Sequence, residues 1–142
     1  MNTTSENSKP QNTLRTLAFA MVGLLVLQYV LGMVTNMFVQ FPETSQVNQL
    51  WDAARAQLPS LAHIILGVLL LVGAILFVIR AAAMRQRGWI VSSVAGLVAI
   101  LVAAFGGATY VSSQSDAWSM VMALGFIAAL LAYGWGLYAS RK

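Results

Sequence analysis

The sequence holds one histidine, His63, inside the apolar stretch LAHIILGVLLLVG. An imidazole there has two chemical uses. It can share a proton with a nearby amide, hydroxyl or backbone carbonyl and stay inert, or it can ligate a metal, haem iron above all. Residue type names the partners. Gln28 and Asn36 carry amides and Thr35 a hydroxyl. Met120 and Met122 carry thioethers, which serve as axial haem or soft-metal ligands and equally as ordinary core filler. Arg55 has the charge to meet a haem propionate, although an exposed loop arginine needs no such reason. His63 is thus a candidate axial ligand of a b-type haem, Met120 or Met122 a candidate second ligand, and Asn36, Gln28 and Arg55 candidate contacts.

Other chemistry is limited by inventory. There is no cysteine, so disulfides, thiolate nucleophiles and Cys-ligated metals are excluded. The acidic residues, Glu6, Glu43, Asp52 and Asp116, fall in tails and loops. No phosphate-cradling glycine loop and no Ser/His/Asp set can be assembled within the apolar runs. Any chemistry would belong to a cofactor, and the enzyme question leans to no.

The elements that position these residues are set by composition. Hydrophobic residues make up 59% of the 142 and charged ones 8%. That is about a third of the charge a soluble domain carries. The reading is an all-α integral membrane protein with the lipid bilayer as its solvent. Four apolar runs, residues 17–39, 61–79, 89–111 and 117–139, each match the roughly 20 residues a helix needs to cross the hydrocarbon. Lipid offers the backbone no partners, so each must be helical. The first run exceeds a secretory h-region and no clean cleavage site follows it, so it reads as a retained helix. Residues 1–14, rich in Asn, Thr and Ser, read as a disordered tail, and 15–142 as one four-helix domain.

Charge gives the orientation. Lys9, Arg15, Arg80, Arg85, Arg87, Arg141 and Lys142 fall on one side of a four-pass chain and Arg55 alone on the other. Basic loops stay inside, so both termini are expected in the cytoplasm of a cell-membrane protein. The net charge of +4 has this origin and calls for no nucleic acid. Phe41, Trp51, Tyr110 and Trp118 near the outer ends, with Trp89, Trp135 and Tyr138 near the inner ends, read as interfacial belts. In the outer loop, 40–60, Val47, Leu50, Trp51, Ala54 and Leu58 recur at helical spacing. That predicts a short helix lying on the membrane surface or, alternatively, a lid.

Helices in lipid associate through small residues. The third run carries Ser92, Gly96, Ala99, Ala103 and Gly106 on one stripe, and the fourth Met122, Gly125, Ala129, Ala132 and Gly136. In the second, His63, Gly67, Leu70 and Ala74 share a face, and in the first Gln28, Gly32, Thr35 and Asn36 do. These faces turn inward in an antiparallel four-helix bundle. His63 is four residues past Pro59, roughly 6 Å inside its helix. Asn36 is about as deep in the first helix, so the two are expected to be able to meet. HIILGVLLL and VMALGFIAA align Gly67 with Gly125, and LGMVT faintly matches FGGAT. Two hairpins related by duplication would produce this echo.

The stretch LLVLQYVLGMVTNMF, followed by LAHIILGVLLLVGAILFVIRA, resembles a helix pair of the haem A synthase family over about 60 of the 142 residues. The likeness rests on a Gln-x-x-Leu-Gly pattern, here Gln28, Leu31 and Gly32, and on a histidine opening the next helix, here His63. It implies a haem-ligating histidine on the second and fourth helix of each bundle. The fourth helix here has none, and Ser60 stands where a Glu-x-x-His feature would place its glutamate. A single-bundle relative without the family's oxidation chemistry is what the resemblance implies. Its haem would be five-coordinate, His/Met-ligated or shared by two subunits. Three functions are in play: a cytochrome-like bundle for electron transfer, haem handling or sensing, as in a respiratory chain; a non-catalytic accessory or assembly subunit of a larger membrane complex; and, with the spans lacking acidic residues, least of all a small-molecule carrier. A homodimer is compatible with each.

Overall fold

The computed structural model describes residues 8–43 and 46–140, with the backbone alone for 8–10. Five helices follow one another: α1 (Ser8–Phe38), α2 (Val47–Ala56), α3 (Leu58–Ala83), α4 (Arg87–Ser113) and α5 (Asp116–Ala139). All except α2 are long and apolar enough to cross a membrane. Arg141, Lys142 and the first seven residues of the expected tail lie outside the described residues. From Ser8 the chain is already helical, and Leu14 is fully buried. Propensity alone favours a tail there, but packing of Leu14 extends the helix.

Short turns fold the long helices back on one another. Met84 to Gln86 join α3 to α4, and Gln114 with Ser115 joins α4 to α5. Arg85 and Gln114 both adopt left-handed backbone, at φ 53° and 52°, the usual way to stop a helix within one residue. Around the ring, α1 packs on α3, α3 on α4, α4 on α5, and α5 on α1.

The tightest seam is α4–α5. A Cβ added at Gly125 would stand 2.7 Å from the Ala103 nitrogen and 2.9 Å from the Ala99 oxygen. One added at Gly106 would stand 2.7 Å from the Met122 nitrogen. Backbone meets backbone here, as the stripe of small residues requires. Further along, the Tyr133 ring fills the space over Gly96, Ser92 packs on Gly136, and the Ser92 hydroxyl donates to the Ala132 oxygen at 2.7 Å.

At the end of the bundle nearest the α3–α4 turn, Phe77 stacks on Tyr133 at 5.6 Å and tilts against Trp89 at 5.8 Å. Trp89 is therefore a core residue, 3% exposed, and not part of the aromatic belt expected of it. It belongs to the Ser92, Gly96 stripe, one turn earlier. Trp135 and Tyr138 are exposed, as a belt needs.

At the opposite end α2 lies across α3 and α4. It buries Leu50 and Ala54, and the Trp51 indole donates to the Ser112 hydroxyl at 3.1 Å. Val47 and Leu58, expected on the same stripe, are exposed.

Gly125 and Gly134 offer a paired test. Leucine at Gly125 must push two backbones apart, an overpacking cost of about 1–3 kcal/mol or more. Gly134 is exposed and a Cβ there would have nothing within 4 Å, so leucine has open space to enter. Thermal denaturation in detergent is expected to show Gly125→Leu clearly destabilised and Gly134→Leu near wild type.

Candidate functional site

Where α1 passes α3, two glycines make room for two polar side chains. A Cβ at Gly32 would lie 3.1 Å from the His63 Cε1 and 3.5 Å from its Nδ1. A Cβ at Gly67 would lie 3.3 Å from the Gln28 Nε2. Each polar residue thus lies on the glycine of the facing helix. The Gln28 amide donates to the His63 carbonyl oxygen at 3.1 Å, and the same nitrogen lies 3.2 Å from His63 Nε2. With the amide donating to both, Nε2 is an acceptor and the ring proton sits on Nδ1, an assignment that follows from the bonding pattern.

Three polar atoms of this seam are buried without a partner among the described residues: His63 Nδ1, Gln28 Oε1 and Thr35 Oγ1. Magnitudes matter here. Interhelical hydrogen bonds in lipid return about 0.5–2 kcal/mol each. An unpaired buried polar atom costs about 1–3 kcal/mol. The pair does not stabilise the bundle on its own account, and the seam has hydrogen-bonding capacity left over.

The surroundings are open. Every buried residue of α1, namely Leu14, Ala18, Met21 and Leu25, precedes Gln28, and none follows it. Beyond that point α1 exposes Tyr29, Met33, Asn36, Met37 and Phe38. Tyr29 stacks on Phe126 of α5 at 5.5 Å.

The other residues singled out in the sequence are placed elsewhere. Asn36 is exposed, and Gln28 holds His63 where Asn36 was expected to be able to reach it. Met120 is 65% exposed. The Met122 sulfur packs over Gly107, 3.1 Å from where a Cβ would be. Neither thioether is brought to His63. Arg55 pairs with Asp52 at 2.7 Å on the exposed side of α2. Among the described residues no group of three or more His, Cys, Asp or Glu side chains is placed to hold a metal ion. Tyr133 was not anticipated. It is fully buried, and its hydroxyl has no partner among the described residues. The signal was Gly96 on the facing helix, which leaves the space that its ring fills.

The glycine contacts also bear on the internal echo. Gly67 of α3 meets Gln28 of α1, and Gly125 of α5 meets Ala103 of α4. Gly32 receives His63, and Gly106 receives Met122. In the echo's register these are the same contacts to within a residue. Comparison with known protein families, with curated proteins and with solved structures returns no match.

A double-mutant cycle measures the pair. Gln28→Leu, His63→Leu and the double variant are compared by thermal or denaturant unfolding in detergent. A coupling of about 0.5–2 kcal/mol between the two sites is expected. Additive effects would show that the two do not bond.

Proposed function

We propose that this chain is a non-catalytic multi-pass bundle of the cell membrane that serves as an accessory or assembly subunit of a larger membrane complex. The observation that carries this reading is how the only histidine is used. Both ring nitrogens of His63 face α1, one against Gln28 and one over Gly32, so the imidazole is taken up in the seam between two helices. Such a bundle acts through its surface. Tyr29 supports that: it is 53% exposed, and its hydroxyl makes no hydrogen bond among the described residues. It lies nine residues before the end of α1, about 14 Å along the helix. A polar group exposed at such depth in lipid is costly, and a neighbouring subunit relieves the cost.

A second reading, haem binding at His63, is favoured by one observation, the buried and unpartnered Nδ1 beside two further unpartnered atoms. His63 would hold the iron, and the seam around Gly32 and Thr35 would flank it. A bound haem supplies one-electron chemistry. Oxidised and reduced absorption spectra of protein expressed with added haem separate the two readings. The accessory role predicts no Soret band in wild type and unchanged spectra in His63→Ala, with a partner co-purifying under mild detergent. A Soret band that His63→Ala abolishes would replace it with the haem reading.

The same proposal places both termini in the cytoplasm, supported by the seven-to-one bias of basic residues. Reporter fusions at the C-terminus and within the loop before α2 check it. The C-terminal fusion is expected to report cytoplasm and the loop fusion the opposite side.

A further inference from the structure

The end of the bundle bearing the α3–α4 turn holds a feature the proposed function does not use. A cleft of about 170 Å³ lies between the start of α4 and the end of α5. Gln11, Gln86, Gly88, Trp89, Gly136 and Ser140 line it. The volume suits a phosphate-sized group, against about 30 Å³ for each water in the liquid.

Its chemistry is that of a donor site. Trp89 is 3% exposed, and its indole N–H has no partner among the described residues. An indole nitrogen donates and never accepts. The amides of Gln11 and Gln86 bring further donors. At the start of α4 the N-cap Gln86 makes no side-chain cap, and among the described residues the first backbone N–H groups, with Gly88 among them, are left open. Those groups carry the positive end of a 27-residue helix dipole. Gly88 has nothing within 4 Å of a would-be Cβ, which leaves the backbone approachable. The Ser140 hydroxyl and backbone N–H cap the last carbonyls of α5, by bonding to Leu137 O and Gly136 O, which lowers the competing negative end.

Charge points the same way. Arg85 and Arg87 flank the cleft in sequence and are exposed. Among the described residues no carboxylate lines it. Among the described residues the acidic ones, Glu43, Asp52 and Asp116, all lie at or near the opposite end of the bundle. The cleft is at the end of helices long and apolar enough to cross a membrane, and the ends of such helices meet the headgroup region.

We propose that this cleft binds the phosphate of an anionic phospholipid headgroup, with Trp89, Gln86 and the first N–H groups of α4 as donors and Arg85 and Arg87 supplying the preference for net negative charge.

The test is lipid retention by the full chain in native mass spectrometry, with phosphatidylglycerol and phosphatidylcholine as probes. Wild type is expected to retain phosphatidylglycerol preferentially. Equal retention of both lipids overturns the proposal. Arg85→Gln and Arg87→Gln are each expected to lower the preference about fivefold. Trp89→Phe keeps an aromatic ring in contact with Phe77 but removes the indole N–H together with its five-membered ring, and is expected to lower phosphatidylglycerol retention about tenfold. Should Trp89→Phe, shown to be folded by circular dichroism, keep the wild-type preference while the arginine variants lose it, the site is a diffuse basic belt and the cleft is wrong. Should Trp89→Phe not fold, Gly88→Glu, which adds a side chain and a negative charge at an open position, takes its place with the same expectation. Inorganic phosphate is the last arm. Failure to displace the lipid is expected of a headgroup site, and full displacement assigns the same donors to free phosphate instead.

Discussion

Backbone contact between α4 and α5 is the constraint from which the rest of the bundle follows. At Gly106 and Gly125 there is no room for a single extra carbon, because the opposing atoms are peptide nitrogen and oxygen that cannot rotate away. In lipid, helices gain nothing from burying apolar surface against each other, so dispersion at close range must hold them. Glycine is what allows that range. Once α4 and α5 are locked, the Tyr133 ring has one place to go, over Gly96, and Phe77 of α3 stacks on it. The third helix is then fixed, and α1 closes the ring against α3 and α5.

This order of dependence leaves the two ends of the bundle unequal. Phe77, Trp89 and Tyr133 fill the end near the α3–α4 turn. At the α2 end the fill is smaller and more polar: α2 lies over α3 and α4, and no residue in the outer third of α1 is fully buried. A Gln–His pair with unpartnered atoms sits at that looser end. The chain thus places its aromatic cluster where it is most basic and its spare hydrogen-bonding capacity where α1 is most open. The first arrangement gives a rigid frame. The second is where a neighbouring subunit or a bound group would find partners.

Much of this was legible in the residues, and the limits have physical causes. The α4–α5 stripe could be read directly, because small residues at steps of three and four have few other uses in an apolar helix. Gln28, Gly32, His63 and Gly67 were placed on facing surfaces for the same reason. The pairing within that seam was not readable. Asn36 and Gln28 differ by two turns on α1, and which amide reaches His63 depends on the offset between helices, which spacing on one helix does not encode. Trp89 was misread because an aromatic at a helix end suits either a belt or a core. Only its register with Ser92 and Gly96 distinguishes them. The start of α1 at Ser8 was hidden by polar composition, since the burial of Leu14 that extends the helix is a tertiary effect.

The two hairpins answer one geometric problem with different chemistry. In α4–α5, Gly106 and Gly125 bring the backbones together and leave nothing between them. In α1–α3, Gly32 and Gly67 hold equivalent positions, but the room they make is taken by His63 and Gln28. Glycine in the first hairpin makes contact, whereas in the second it makes space for polar groups. A second apolar seam would have cost less, since three buried atoms here lack partners. The His–Gln pair is therefore not explained by stability. Its presence on one hairpin only marks the α1–α3 seam, with the exposed Tyr29 on the same helix, as the side of the bundle that differs from the tighter α4–α5 seam.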